Sequence, residues 1–178
     1  MADYAFGSIR PTSYELADFF RRVIVVHADA RAQHAFSDLV KLAFDADQLL
    51  AAQHMAAKRL LDFDGEIFPK DGCAITLSVL LQEAGIQIKD TYQAIALGNL
   101  LKGRKWQVVP IGSQKVGDVG STCGPVAHHG QDHIYLVLNV LNSDEMVIAD
   151  NQQTKPHFRF VSGKGGKTPT KFFLRASK

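Results

Sequence analysis

The N-terminal part of the chain has the hydrophobic periodicity of helices. Between Thr12 and Phe63, apolar side chains recur every three or four positions in a stretch rich in Ala and Leu, which is the spacing of an amphipathic helix. This pattern predicts two or three helices, with Thr12 or Ser13 as the expected N-cap of the first one.

Two shorter helices are predicted after this region. Residues 73–85 are mostly apolar, and Gly85 is expected to end the helix because glycine readily adopts the left-handed conformation found at helix ends. Residues 90–103 are predicted to form the next helix, which begins with Asp90 as N-cap and ends at Gly103.

From Trp106 onward the pattern changes to that of strands. Runs of β-branched and aromatic residues, separated by turn residues, predict strands in residues 105–111, 133–141, 145–150, 157–161 and 171–176. The sequence NSDE at residues 142–145 is expected to form a hairpin turn. Helices followed by strands predict an α+β fold, in which a helical N-terminal half packs on an antiparallel sheet.

The composition is that of one globular domain with no special partner. The 178 residues are 46% hydrophobic, so the chain can bury a core without disulfides. No dense stripe of Lys and Arg indicates a nucleic-acid partner, and no run of about 18 apolar residues indicates a membrane span. The N-terminus has no apolar signal core, so synthesis in the cytoplasm without a signal peptide is expected.

One of the two cysteines stands where a helix is expected to begin. Cys73 directly follows Asp71 and Gly72; Asp71 is a candidate cap, and Gly72 allows close approach of the backbone. The free N–H groups of a helix N-terminus stabilise a thiolate. They can also hold the oxyanion that forms when sulfur attacks a carbonyl group. The alternative is that Cys73 only packs, since cysteine is among the most buried residues.

A histidine and an acid are expected to meet at one end of the predicted hairpin. His133 opens its strand directly after a polar loop, and Asp150 closes the next strand. Because an antiparallel strand returns to the end where its partner began, Asp150 or a neighbour should lie beside His133. A cysteine hydrolase needs an imidazole to move the thiol proton and a third group to orient the imidazole. An ordinary polar strand end and an Asp-Asn turn are the alternatives.

These features resemble a known group of papain-like enzymes. A cysteine that opens a helix (GCAITLSVLL), the pair Gly117-Asp118 before the histidine strand HIYLVL, and a hairpin that ends in an acidic or amide residue are similar to the NlpC-type cell-wall peptidases and CHAP amidases. The cysteine helix also looks like that of the amidase effectors delivered by type VI secretion. The resemblance covers residues 70–152.

The resemblance implies a papain-like cysteine peptidase fold and a role for each matching residue. Cys73 would be the nucleophile, and His133 the general base and acid. Asp150 would complete the triad, and Gln152 would be an orienting or oxyanion-binding amide. No cofactor and no metal would be needed. The chain would form a single domain over residues 1–178, with a helical extension in residues 1–65 and a catalytic core in residues 66–178.

The implied reaction is hydrolysis of an amide bond in the peptide stem of peptidoglycan, which is the expected substrate. A chain without a signal would need delivery machinery to reach the periplasm or cell wall, and an inhibitor or immunity protein is a further expected partner. Two other functions stay open. One is a papain-like peptidase, deamidase or transglutaminase-like effector that acts on protein. The other is a non-catalytic binding or assembly module, which Gly72 favours because the family has Asp or Asn directly before its cysteine.

A second group of reactive side chains competes with this triad. Thiolate and imidazole are good zinc ligands, and the loop before the histidine strand contains Cys123, His128, His129, Asp132 and His133. Their spacing matches no standard zinc motif, so a solvated or substrate-facing loop is the simpler interpretation. The remaining alternatives make the second cysteine the nucleophile or join the two cysteines in a disulfide.

Overall fold

The computed structural model of the protein describes residues 34–177. Four helices lie in this part of the chain: residues 34–44 (α1), Ala46–Asp64 (α2), Cys73–Glu83 (α3) and Ala94–Gly103 (α4). The predicted caps Thr12 and Ser13 lie outside the described residues. None of the helices in residues 34–177 is long and apolar enough to cross a membrane.

The helix α2 forms because its sequence provides an apolar face and a signal at each end. Asp45 caps the first turn, where its Oδ1 atom accepts hydrogen bonds from the N–H groups of Asp47 and Gln48 at 3.0 and 3.1 Å. Gly65 ends the helix in the left-handed conformation, with φ of 79°. The apolar residues that this helix buries follow the helical spacing: Leu49, Ala52, Ala56 and Leu60.

The helix α3 lies inside the molecule. All residues from Cys73 to Leu81 are buried, and the helix contacts α2, α4 and the sheet. It ends at Glu83, and Gly85 follows with φ of 81°, close to the predicted end. The prediction of Asp71 as its cap is wrong, because the N-cap is Gly72 and no side chain caps the helix. Asp71 stands one residue too early and in the left-handed conformation, with φ of 51°.

The helix α4 ends at Gly103 as predicted, but its predicted start is wrong. The N-cap is Gln93 rather than Asp90, and it provides no side-chain cap. Asp90 instead accepts hydrogen bonds from Arg59 Nη1 at 2.7 Å and from Gln82 Nε2 at 2.9 Å. The carboxylate therefore joins the loop before α4 to helices α2 and α3, and this tertiary pairing takes precedence over local capping.

Within residues 34–177, six strands form one sheet: Gln107–Val109 (β1), Val119–Ser121 (β2), Ile134–Val140 (β3), Glu145–Ala149 (β4), His157–Phe160 (β5) and Phe172–Arg175 (β6). Each of the five predicted runs contains one of these strands. The sheet order is β1-β6-β2-β3-β4-β5, and every neighbouring pair is antiparallel. The α+β class with an antiparallel sheet is therefore confirmed.

The strand β2 was not predicted, because three residues with the sequence VGS carry little β signal. Tertiary contacts fix it between β3 and β6. Asp118, just before β2, accepts two hydrogen bonds from the guanidinium group of Arg175 on β6, at 2.8 and 2.7 Å. Such a bidentate pair is geometrically specific, so it sets the position of β2 at its first residue.

The turn between β3 and β4 is the predicted NSDE hairpin, and it is confirmed. The Oδ1 atom of Asn142 accepts hydrogen bonds from the N–H groups of Asp144 and Glu145, at 2.9 and 2.8 Å. An Asn side chain that replaces a backbone acceptor in this way stabilises a tight turn. The hairpin returns the chain so that Leu136 pairs with Ala149.

The two faces of the sheet have different neighbours because side chains alternate along each strand. On β3, Ile134, Leu136 and Leu138 belong to the main core, together with residues of all four helices. Tyr135 and Val137 point to the opposite face, where they pack with residues of β4 and β6. The helical part of the chain is thus packed on one face of the sheet, and residues before and after position 65 share one core.

Replacing Gly120 with Ala should destabilise the protein by about 1–3 kcal/mol, the usual cost of overpacking a core. Gly120 pairs with Tyr135 across β2 and β3, and a Cβ atom would overlap the Tyr135 ring, which is fully buried. Urea denaturation followed by circular dichroism would measure the loss. Gly98→Ala in α4 is the control, since no atom lies within 4 Å of its added Cβ. Equal stabilities of the two variants would contradict this prediction.

Candidate active site

Cys73 is the first residue of α3, where the sequence placed it. The helix has no side-chain cap, so the N–H groups of its first turn have no side chain as a partner. The cysteine is 7% exposed and lines a cleft. Gly72 is required for space rather than for its backbone angles, because a Cβ atom there would lie 2.7 Å from the ring of Phe68. The sequence departure at Gly72 is therefore a packing feature of this loop.

His133 and Asp150 meet at one end of the hairpin, as predicted. His133 directly precedes β3 and Asp150 directly follows β4, and the pairing of Leu136 with Ala149 brings the two residues side by side. The Nε2 atom of His133 lies 2.8 Å from Oδ2 of Asp150. This contact leaves Nδ1 as the ring nitrogen available to the thiol and to a substrate.

The backbone of His133 is held by the end of β2. Its N–H group donates to Oγ1 of Thr122 at 2.7 Å, and its carbonyl oxygen accepts from the N–H of Thr122 at 3.0 Å. Because both residues are buried, these hydrogen bonds are shielded from water. The backbone of His133 is thus held by both β2 and β3, although only β3 was predicted from the sequence.

Asp150 is fixed from several directions. Its Oδ1 atom accepts a hydrogen bond from the N–H of Gln152 at 2.7 Å, and its carbonyl oxygen accepts one from Nε2 of Gln53 on α2, also at 2.7 Å. A second histidine, His157 on β5, places its Nε2 atom 3.7 Å from Oδ2 of the same carboxylate. The buried acid therefore connects helix α2 to the end of β4, and it lies close to β5.

Gln152 lines the cleft, but among the described residues its side chain forms its hydrogen bond with Lys167 rather than with Cys73, His133 or Asp150. Its Oε1 atom accepts a hydrogen bond from Nζ of Lys167 at 3.0 Å. The contact with the triad comes from the backbone N–H, which orients Asp150. An oxyanion-binding role for the side-chain amide stays a prediction.

The electrostatic environment favours a protonated His133 beside a charged Asp150. Burial by itself would lower the pKa of His133, but hydrogen bonding to Asp150 and Cys73, and their negative charges, raise it from 6.5 to about 9. Burial would raise the pKa of Asp150, but the hydrogen bond and the charge of His133 lower it below 3.8. The pKa of His157 is lowered, mainly by burial. One imidazolium and one carboxylate therefore form an ion pair around neutral pH.

The cleft has two lobes that meet at Cys73. The sheet lobe has a volume of about 630 Å³ and is lined by residues that include His133, Asn151, Gln152, Arg159, Lys167 and Thr168. The helix lobe has a volume of about 450 Å³ and is lined by residues that include Phe63, Asp64, Glu66, Tyr92, Ile95 and His129. Cys73 is one of the residues that line both lobes.

The competing residues occupy other positions. Cys123 is 4% exposed, and burial raises the pKa of its thiol, which disfavours the nucleophilic thiolate. Both cysteines are free rather than joined in a disulfide. His128 and His129 are exposed and line the helix lobe. Among residues 34–177, no three His, Cys, Asp or Glu side chains are grouped as ligands of a metal ion.

Sequence reasoning missed three polar residues of the site: Asn151, His157 and Arg159. Asn151 was seen only as part of a turn, but its Nδ2 atom donates to the carbonyl oxygen of Pro69 at 2.6 Å and joins the loop before α3 to the end of β4. His157 and Arg159 alternate along β5. The only sequence signal for them is this alternation of polar residues in a strand whose position in the sheet was unknown.

The raised pKa of His133 gives a pH dependence of stability with a defined sign. A pKa above the unfolded value of 6.5 stabilises the folded state fully below about pH 6.5, and this contribution is lost as the pH rises through about 9. The lowered pKa of Asp150 acts at the other end, since its contribution is lost as the pH falls below its unfolded value. Stability should therefore be greatest between these two limits.

Replacing Asp150 with Asn should lower the pKa of His133, because the variant loses both the charge and the ionic hydrogen bond that raise it. NMR titration of the histidine ring signals would measure this, with the His133→Gln spectrum used for assignment. Asp38→Asn is a matched control, since Asp38 lies on α1 in an exposed ion pair with Lys41. A His133 pKa that stays near 9 in Asp150→Asn would contradict the assigned cause.

Comparison with known proteins identifies no family for this chain. No protein-family model matches the sequence, and no curated protein and no solved structure matches the chain. The interpretation of the site therefore depends on the geometry of Cys73, His133 and Asp150 and on the motifs around them.

Proposed function

We propose that the protein is a papain-like cysteine hydrolase that cleaves an amide bond in the peptide stem of peptidoglycan. The observation that carries this proposal is the 2.8 Å contact between His133 Nε2 and Asp150 Oδ2, next to a cysteine at an uncapped helix start. A thiol that interacts with an imidazole, which a buried carboxylate orients, is the pairing that cysteine hydrolysis needs.

The first half of the reaction forms a thioester. The Cys73 thiolate attacks the carbonyl carbon of the amide, and the free N–H groups at the start of α3 stabilise the oxyanion. When the C–N bond breaks, the proton on Nδ1 of His133 passes to the leaving amine. Asp150 keeps the imidazolium oriented throughout, since its Oδ2 atom holds Nε2.

The second half of the reaction releases the acid. A water molecule transfers a proton to Nδ1 of His133 while its oxygen attacks the thioester carbon. The C–S bond then breaks, the carboxylic acid product leaves, and the Cys73 thiolate and the imidazolium are restored. Atoms and charges balance without a cofactor.

The shape of the cleft supports an extended peptide as the substrate. Space continues on both sides of Cys73, with about 630 Å³ in the sheet lobe and about 450 Å³ in the helix lobe. Polar and charged side chains line both lobes, as a peptide with several polar groups requires. The motif resemblance to the NlpC-type and CHAP enzymes supports the peptidoglycan stem as the source of that peptide.

Wild-type protein should release new stem-peptide fragments from purified peptidoglycan, and Cys73→Ala should release none. Removal of the sulfur eliminates the attacking atom, and losses of about 10⁴-fold or more are usual for a missing nucleophile. Mass spectrometry of the soluble fragments would identify the bond that is cut. Cys123→Ala is the matched control: it removes the other buried thiol and should retain cleavage.

Full activity of Cys73→Ala would overturn the proposal. Absence of fragments from both proteins, together with selective alkylation of Cys73 over Cys123 by iodoacetamide, would move the reaction to a protein substrate. Absence of both fragments and alkylation would leave a non-catalytic module. Release of fragments by wild-type protein alone and the last two outcomes here therefore distinguish the three function classes that the sequence left open.

A further inference from the structure

Arg159 is a buried cation that has no counter-ion among the described residues. Its side chain is on β5, the residue is 4% exposed, and it lines the sheet lobe of the cleft. Within residues 34–177 it forms no ion pair with an acid. A buried charge without a partner is costly, so an arginine in this position calls for an anion that the described chain does not provide.

The contacts of Arg159 hold the guanidinium in place but do not neutralise it. Its Nη2 atom donates to the carbonyl oxygen of Thr168 at 2.9 Å, and its Cζ atom lies 4.7 Å from the centre of the Tyr135 ring. Its Nε atom is buried, and the described part of the chain provides no hydrogen-bond partner for it. The Tyr135 hydroxyl is itself held by Oγ1 of Thr170 at 2.5 Å, so the platform under the guanidinium is rigid.

The same platform joins Arg159 to the triad. The rings of Tyr135 and His133 are stacked, with 5.9 Å between their centroids. Arg159 pairs with Met146 and His157 pairs with Ile148 across β4 and β5, so both point to the face of the sheet that carries Tyr135. The guanidinium is therefore one side chain away from the catalytic imidazole, on a strand rather than on a loop.

The charges of the two lobes differ in sign. Five residues line both lobes and form the middle of the cleft: Lys70, Asp71, Cys73, Gly130 and Asp132. Among the residues that line only the sheet lobe, the permanently charged ones are Arg159 and Lys167; among those that line only the helix lobe, they are Asp64 and Glu66. Glu66 is paired with Lys70 at 2.9 Å, so the helix lobe has Asp64 as its remaining acid, whereas the sheet lobe has two cations.

A second polar atom of the sheet lobe also has no partner. Oδ1 of Asn151 is buried and has no hydrogen-bond partner in residues 34–177, while Nδ2 of the same amide is bound to the carbonyl oxygen of Pro69. Because Nδ2 is engaged, the open position is an acceptor, which suits an N–H group. An anion for Arg159 and an N–H donor for Asn151 are both present in a peptide that carries a carboxylate.

We propose that Arg159 binds a substrate carboxylate next to the scissile amide, so that the enzyme selects acidic peptides and orients them with the carboxylate in the sheet lobe. This inference rests on the proposed function, since it names the substrate feature that the same cleft recognises. Arginine suits the task because its planar guanidinium donates two parallel hydrogen bonds to a carboxylate. Arg159 is a binding and positioning residue and takes no part in proton transfer.

The test compares the four-residue stem peptide with free carboxylates to the same peptide in which each carboxylate is a carboxamide. Wild-type protein should cleave the acidic peptide with roughly 10- to 100-fold higher kcat/KM, the range expected for losing a hydrogen bond to a charged group. Arg159→Gln should remove this preference mainly through KM on the acidic peptide. Equal cleavage of the two peptides by wild-type protein would overturn the carboxylate site while the hydrolase stands.

Two further variants keep the test decisive. Arg159→Lys retains a cation and should keep part of the preference, which covers the case in which Arg159→Gln does not fold. Lys164→Gln removes a nearby positive charge that is exposed over the Phe160 ring and lies outside the cleft lining. That control should keep the full preference, and a loss there equal to the loss in Arg159→Gln would overturn the site, because any positive charge near the cleft would then have the same effect.

Calorimetry on the Cys73→Ala protein separates the carboxylate site from the hydrolase. Tighter binding of the acidic peptide than of the carboxamide, lost in Cys73→Ala Arg159→Gln, would support the site even if wild-type protein cleaves neither peptide. Equal binding of the two peptides, or binding of neither, would overturn it. Cleavage and binding thus report on the two proposals independently.

Discussion

The buried hydrogen bond between His133 and Asp150 is the contact on which the rest of the site depends. It closes the open end of the β3-β4 hairpin, and both partners have almost no exposure to solvent. Because an unpaired charge in that position would be costly, the two side chains are stable there only as a pair. The same requirement explains why the N–H of Gln152 is directed at the carboxylate of Asp150, while Gln53 holds the backbone carbonyl oxygen of the same residue.

This constraint also explains how the helical and sheet parts of the chain cooperate. Cys73 comes from a helix that is buried on all sides, and His133 comes from a strand that packs against it in the main core. Packing in the interior is dense, and such packing limits relative movement of these elements. The distance between thiol and imidazole is therefore set by the core, and the electrostatic pairing raises the pKa of His133 to about 9 at a fixed position.

The two ends of the cleft differ in charge and in aromatic content. A rigid platform of Tyr135 and Thr170 supports Arg159 on the sheet side, whereas the helix side carries a parallel stack of Phe63 on Tyr92 with centroids 3.8 Å apart. A substrate with a carboxylate at one end and an apolar or cationic group at the other would bind in one orientation. Orientation matters because the scissile carbonyl must face the sulfur.

The sequence by itself determined the class of the fold, and it predicted the three residues at the centre of the candidate site. Periodicity identified the helices and five strands, and hairpin geometry predicted that Asp150 lies near His133, because both signals come from residues close together in the chain. Prediction from the sequence failed where contacts between distant residues fix the structure. Asp90 pairs with Arg59 instead of capping α4, and the short strand β2 is held by its pairing with β3 and β6. Only the tertiary structure placed Arg159 in the lining of the cleft and His157 beside Asp150, since the order of strands in a sheet depends on long-range pairing that local patterns do not record.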